Sequence, residues 1–256
     1  MKKLEVKNVS KSFDGRSVLQ DISLTLAEGE AVCLLGVSGG GKTTLFNIIA
    51  GLLSPDAGKV LLDGKDITNQ PGHISYMLQK DLLLPYLTVE DNVSLPLLLK
   101  GMKKKEARRQ VSPMFAGFGL DGTQKKYPTT LSGGMRQRAA LLRTYMFSQD
   151  VALLDEPFSA LDTLTKGSIH EWYLDVMEKI HLSTLFITHD IDEAILLADR
   201  IYLLCGSPGR IAKEIIIHRP RNEREDFNLT TEFLEYKKKI LSALQTPAGE
   251  VELQTK

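Results

Sequence analysis

The sequence predicts an α/β protein organised round a parallel sheet, with a small antiparallel β subdomain and an inserted helical subdomain. Three observations predict that class. The short apolar runs Ala31-Val32-Cys33-Leu34-Leu35, Val151-Ala152-Leu153-Leu154, Leu185-Phe186-Ile187 and Ile201-Tyr202-Leu203-Leu204 are unbroken by polar alternation, as strands buried on both faces are. Helical patterns separate the later runs, the order expected of strand-helix-strand units in a parallel sheet. The first 30 or so residues alternate apolar with polar instead, as half-exposed antiparallel strands do.

Taken in order, Leu4, Val6 and Val9, then Val18 and Ile22-Leu24-Leu26, give the first strands, closed by a turn at Glu28-Gly29-Glu30. The run from Ala31 ends in Gly36, and a glycine-rich loop and a helix follow. Val60-Leu61-Leu62 meets Asp63-Gly64, a favoured hairpin turn, and continues through Ile67 to rejoin the N-terminal sheet. The β subdomain therefore occupies about 1–30 and 58–67. From about 80 to 149 the pattern is helical, with polar and basic faces at Lys103-Lys104-Lys105-Glu106 and Arg136-Gln137-Arg138. The rest of 1–220 is the parallel-sheet core. Residues 221–256 form a linker, a helix and a tail: charge is dense over 219–226, Phe233, Tyr236, Ile240, Leu241 and Leu244 recur at helical spacing, and a polar stretch begins at Thr246. No internal repeat is present.

Composition excludes several function classes. At 256 residues the chain allows one to two domains of roughly 150 residues. Lys and Arg together number 32, as do Asp and Glu, so there is no basic excess to release counterions from a nucleic acid. The longest stretches free of charge, 43–55 and 67–79, fall short of the roughly 20 residues that a membrane-spanning helix needs. The start, Met1-Lys2-Lys3-Leu4-Glu5, has no apolar leader, so secretion is not expected. Cys33 and Cys205 lie in apolar runs and are expected as two buried reduced thiols rather than a disulfide or a metal site.

The chemistry is concentrated in three stretches. Gly36-Val37-Ser38-Gly39-Gly40-Gly41-Lys42-Thr43 matches G-x-x-x-x-G-K-[ST], between a buried strand and a helix. Glycines let successive N–H groups turn inward, the helix adds its positive end, and Lys42 brings a point charge to β- and γ-phosphate oxygens. Thr43 supplies an oxygen to Mg²⁺. Val151-Ala152-Leu153-Leu154-Asp155-Glu156 ends in two carboxylates at the end of a strand where parallel sheets bind ligands. Asp155 is placed to hold Mg²⁺ through water, and Glu156 to position the water that attacks the γ-phosphorus in line. Standing alone, such an Asp-Glu pair is more often a surface loop. Leu131-Ser132-Gly133-Gly134-Met135-Arg136-Gln137-Arg138 is either a second anion-binding helix N-terminus or an ordinary N-cap followed by glycines.

The ordered set of these stretches resembles the ATP-binding subunit of an ABC transporter over roughly residues 3 to 218. The resemblance implies a P-loop NTPase with a RecA-like core. In that family Gly36 to Thr43 corresponds to Walker A, Val151 to Glu156 to Walker B, Leu131 to Gln137 to the signature motif, and Ser159-Ala160-Leu161-Asp162 to the D-loop. Gln79 matches the Q-loop glutamine and His189 the switch histidine. Phe13 stands where the family stacks an aromatic on adenine, usually a tyrosine; packing within the small sheet is the other reading of this ring. The implied ligands are ATP and Mg²⁺. ATP contacts fall to Phe13, Val18, Gly36, Ser38, Gly39, Gly40, Gly41, Lys42, Thr43, Thr44, Ser132, Gly133, Gly134 and Asp162, metal contacts to Thr43, Gln79 and Asp155, and catalysis to Glu156, His189, Gln79 and Lys42. His73, His170, His181 and His218 are read as capping or core residues.

The resemblance further implies a head-to-tail homodimer with two nucleotides sandwiched between Walker A of one copy and Ser132 and Gly134 of the other, energising a bacterial importer. Its partners would be transmembrane permease subunits carried on separate chains and, indirectly, a substrate-binding protein, with no nucleic acid. Its place would be the cytoplasmic face of the membrane. Leu82-Leu83-Leu84-Pro85-Tyr86-Leu87 is apolar enough to line the permease's docking groove, or belongs to the core of the helical lobe. Leu84-Pro85-Tyr86, Ser207-Pro208-Gly209-Arg210-Ile211 and Arg219-Pro220-Arg221 are most similar to the group importing nitrate, sulfonates, taurine and thiamine-precursor pyrimidines, from which Tyr86, Lys80 and Leu142-Arg143-Thr144-Tyr145 depart. Two other classes compete: a soluble ABC ATPase of repair or translation, and a nucleotide-sensing module. A GTPase is disfavoured because no Asn-Lys-x-Asp guanine reader occurs.

Overall fold

The structure, a computed structural model, describes residues 2–245 apart from Ser38, Gln149, 160–162 and Glu225. The chain opens with a hairpin of β1 (Lys2–Phe13) and β2 (Arg16–Ala27), whose turn residues Asp14 and Gly15 both take positive φ, as a two-residue hairpin loop requires. β3 (Ala31–Gly36) then enters the core and α1 (Lys42–Ile49) follows the glycine-rich loop. β4 (Ala57–Leu62) and β5 (Lys65–Asp66) return to the first hairpin, turning at Asp63 and Gly64, again both at positive φ. These four strands form an antiparallel sheet in the order β2-β1-β4-β5.

β6 (Ser75–Met77) precedes the helices α2 (Val89–Leu99), α3 (Lys104–Val111), α4 (Met114–Gly117) and α5 (Gly133–Phe147). Then come β7 (Val151–Asp155), α6 (Thr163–Ile180), β8 (Ser183–Thr188), α7 (Ile191–Leu197), β9 (Arg200–Cys205), β10 (Arg210–Ile216) and α8 (Thr231–Gln245). The second sheet runs β10-β9-β3-β8-β7-β6, parallel throughout except for β10.

Why the four central runs are continuously apolar is now plain. Cys33, Leu35, Leu154, Phe186 and Leu203 face the core shared with α5 to α8, whereas Val32, Leu34, Leu153, Leu185 and Leu204 face the core shared with α1 and the small sheet. Neither face meets water, so no polar alternation is selected. β6 and β10 escaped the sequence reading: β6 has three residues, and β10 is an edge strand with exposed Lys213 and Glu214. One expectation needs correction: Cys205 is only partly buried at the end of β9, unlike Cys33. On α8, at the expected helical spacing, Phe233, Tyr236 and Ile240 are buried and Leu241 is 40% exposed.

The charged linker before α8 is anchored by one of its own charges. The Arg224 side chain is fully buried and donates to the carbonyls of Ile195, Leu196 and Ala198 at the end of α7, and to that of Arg219. These helix-end acceptors have no intrahelical donor, so the guanidinium satisfies them and ties the C-terminal segment to the core. The tail from Thr246 lies outside the described residues. Among the described residues no helix is long and apolar enough to cross a membrane.

Candidate functional site

Strands β3, β7 and β8 end side by side, with Leu35 paired to Thr188 and Asp155 to Ile187, so the residues just past each strand converge at one edge of the sheet. Gly36 to Thr43 leads from β3 into α1. Gly41 sits at the helix N-cap with φ 90°, a conformation open to glycine, and a Cβ there would lie 2.7 Å from Leu19 Cδ2 and 3.3 Å from Val18 Cγ1. The loop is thus seated directly on β2, and Val18 is part of its floor. The Lys42 ammonium is buried and donates to the carbonyls of Gly36 and Val37, each at 2.8 Å, which fixes the loop's curvature. Burial lowers its pKa, and the carboxylates of Glu156 and Asp155 work in the opposite sense.

Thr43 Oγ1 donates to Asp155 Oδ2 at 3.3 Å. Burial pushes the Asp155 carboxyl above its ordinary range; the Glu156 charge adds to this, against the Thr43 hydrogen bond and Lys42. Hydroxyl and carboxylate oxygens side by side are donors of the kind Mg²⁺ takes, with phosphate and water completing the shell. The residues fit that ion. Among the described residues no group of three or more His, Cys, Asp or Glu could hold a metal ion without such outside ligands.

Because the folded state binds the Asp155 proton more tightly than the unfolded state does, the ionised carboxylate costs stability at neutral pH, and that cost disappears as pH falls through the raised pKa. Asp155→Asn is therefore expected to melt higher than the parent chain at pH 7 without nucleotide. The gap should narrow under acid conditions. A lower Tm at pH 7, read by calorimetry, would contradict this sign.

Glu156 follows β7 with φ 46°, a left-handed backbone that a non-glycine residue adopts at a cost of about 1–2 kcal/mol. Its N–H donates to Ile187 O at 3.0 Å, which holds the turn. Its side chain is gripped from two sides: Gln79 Nε2 donates to Oε2 at 2.9 Å, and His189 Nδ1 lies 3.2 Å from Oε1. Three residues far apart in sequence thus meet at one carboxylate, which the motifs alone did not disclose.

The remaining site residues fall as follows. Ser132 is exposed at the N-cap of α5, accepting from Met135 N at 3.3 Å, with Gly133 and Gly134 forming the first turn. This satisfies the ordinary capping role and leaves the hydroxyl accessible. Phe13 ends β1, is 43% exposed and lies outside the core of the small sheet, with Lys11 Nζ 5.4 Å from its ring centroid. Thr44 is half-buried in the first turn of α1. Ser38 and Asp162 lie outside the described residues, as do Ala160 and Leu161.

Sequence reasoning missed two supports. Gly209 approaches the phosphate loop so closely that a Cβ would sit 2.4 Å from Gly40 O, and its amide and carbonyl bond to Val18 and Gln20 of β2. Asn92 is fully buried in α2 and binds the backbone of Leu84, Leu87 and Thr88, shaping the turn that follows Gln79. Only the glycine after Ser207-Pro208 carried a signal, and it was a resemblance rather than a physical one.

The family model described as ABC transporter matches residues 19–159. The formylaminopyrimidine import ATP-binding protein of Halalkalibacterium halodurans is 47% identical over 206 residues, 80% of each chain. The nitrate import ATP-binding protein of a Synechocystis strain is 37% identical over 252 residues, 94% of this chain and 95% of that one. Among solved structures, the dimeric post-hydrolysis state of an ATP-binding cassette with ADP and Pi shares the fold with a TM-score of 0.70 at 30% identity, covering 85% of this chain and 100% of the other. Fold and site together define an ATP-hydrolysing enzyme of the phosphate-loop class. The chain belongs to the ABC transporter family, as one of its ATP-binding cassettes.

Proposed function

We propose that the chain is the ATPase subunit of an importer and works as a head-to-tail dimer at the cytoplasmic face of the membrane. The observation that carries the reading is the Glu156 carboxylate held between Gln79 and His189 beside Lys42, Thr43 and Asp155. Each group has a task. Walker A amides from Gly39 to Thr44, with Lys42, bind the phosphates; Thr43 and Asp155 hold Mg²⁺, which when bound neutralises developing phosphate charge. Glu156 orients the attacking water and accepts its proton, His189 offers a donor toward the γ-phosphate, and Gln79 links this centre to the helical lobe. Phe13 stacks on adenine, and Ser132, Gly133 and Gly134 of the second copy cover the triphosphate.

A cleft of about 290 Å³ between the end of α1 and the helical lobe supports a docked permease. Ala50, Leu52, Ile74, Pro96 and Phe147 supply its apolar lining, and Leu52 is 63% exposed. The Leu82 to Leu87 segment does not line it. Arg143, at the cleft wall, donates to the carbonyls of Asp81 and Leu82 and so joins the cleft to the segment after Gln79. The import names of the relatives support a small polar solute, a formylaminopyrimidine ahead of nitrate on identity, delivered by a separate binding protein.

Lys42→Ala tests the phosphate cradle. A charge-assisted bond to phosphate contributes roughly 1.5–3 kcal/mol, so ATP affinity measured by calorimetry should fall at least tenfold. Normal affinity would remove Lys42 from the site. For the transport reading, the subunit should co-purify with a permease from detergent-solubilised membranes, and its turnover should rise when the binding protein is supplied with formylaminopyrimidine. Retention on nucleic acid instead would favour the competing soluble class.

A further inference from the structure

Among the described residues the His189 side chain bonds to Glu156, and it is 56% exposed, yet the residues on either side of it are tightly held. Thr188 is buried; its hydroxyl donates to Glu193 Oε2 at 2.6 Å and accepts from Asp190 N at 3.0 Å. Asp190 caps α7, its Oδ1 accepting from Asp192 N at 2.9 Å and Glu193 N at 3.3 Å. A closed ring of bonds thus brackets His189, the residue of this turn whose side chain reaches the active centre. Glu193 is 3% exposed, and its other oxygen receives Lys166 Nζ of α6 at 2.8 Å, with His170 Nε2 at 3.7 Å. Lys166 also reaches Asp190 Oδ2 at 3.5 Å. Burial opposes ionisation of Glu193, but the hydrogen bonds from Lys166 and Thr188, with His170 close by, outweigh it and bring the carboxyl down to about 2.

We propose that Glu193 is a positioning residue for His189, acting through Thr188 and Asp190, and that its bond to Lys166 sets the His189 turn against the first turns of α6. The proposal rests on the reading of His189 as part of the reaction centre. The physical case is one of geometry. With Thr188 and Asp190 pinned, the direction of the His189 Cα–Cβ bond is fixed and only two side-chain torsions remain, so the imidazole is pre-aimed at Glu156 rather than recruited by nucleotide. A buried carboxylate that served only to fasten α7 to α6 would have no need of the Thr188 hydroxyl, whose second bond closes the turn.

The test is a double-mutant cycle on the full chain under saturating Mg²⁺ and ATP. Glu193→Gln is expected to lower kcat about tenfold, with KM for ATP within about twofold of the parent, and to cause no further loss in a His189→Ala background. Thr188→Val should reproduce the Glu193→Gln loss, and Thr188→Ser, which keeps the hydroxyl, should recover most of the activity. Thr188→Val also serves if Glu193→Gln fails to fold. Equal losses from Glu193→Gln with and without His189, or full kcat in both Glu193→Gln and Thr188→Val, overturn the proposal while leaving His189 in the mechanism. An unaltered kcat in His189→Ala removes the underlying reading, and the proposal with it.

Discussion

Glu156→Gln is expected to cut ATP turnover about 100- to 10,000-fold, the range for a lost acid–base group, while leaving ATP affinity close to that of the parent chain. The substitution is nearly isosteric, and its amide still meets Gln79 and His189, the two partners that hold Glu156 at 2.9 and 3.2 Å. What it lacks is the negative charge that polarises water and a basic oxygen to take its proton. Binding should survive because the proposed phosphate contacts come from the loop before α1 and from Lys42, not from Glu156. Removing a carboxylate beside a triphosphate even lowers repulsion at the site. The variant should therefore accumulate the ATP-bound closed form, and sedimentation with Mg²⁺ and ATP should show two copies where the parent chain, which consumes the ligand, shows fewer. Wild-type turnover would remove Glu156 from the mechanism. A slow variant that stays single at saturating ATP, with a permease supplied, would instead remove the shared site.

How much of this was legible beforehand follows from what each signal depends on. β3, β7, β8 and β9 were visible because burial on both faces leaves an unbroken apolar run, whereas β6 was too short and β10 too exposed to leave one. The phosphate loop was visible because its demands are local: Gly41 must take φ 90° against Leu19, and Lys42 must fold back over the loop within a few residues. Gln79 and His189 are different. They lie 77 and 33 residues from Glu156, and nothing in the composition of either neighbourhood marks them as partners of one carboxylate. Resemblance singled them out, and only the fold made them meet. Arg224 is the opposite case: inside a dense charged linker it had every mark of a solvated residue, yet it is buried because the carbonyls ending α7 need a donor.

The second large effect concerns a residue outside the cluster round Glu156. Ser132→Arg is expected to leave ATP binding by the isolated chain intact and to abolish turnover. In this structure Ser132 is exposed, and its hydroxyl caps α5 by accepting from Met135 N at 3.3 Å. Losing that cap costs about 1 kcal/mol of helix stability, and a cation at the positive end of α5 adds to the penalty, but neither reaches the phosphate loop. Ser132→Ala, which loses the cap without adding bulk or charge, measures that local cost and should keep most of the activity if Ser132 merely starts a helix. Arginine, by contrast, would place a long charged side chain where, in the proposed head-to-tail pair, a second copy closes over the triphosphate. The sharpest result comes from mixing two inactive variants. A Lys42→Ala copy retains its Ser132, and a Ser132→Arg copy retains its phosphate loop, so a head-to-tail pair of the two contains one complete site. Partial recovery of turnover in the mixture, absent from either variant alone, is the expected outcome. Hydrolysis by Ser132→Arg alone at the parental rate would mean that each chain completes its own site and that α5 contributes nothing to a neighbour.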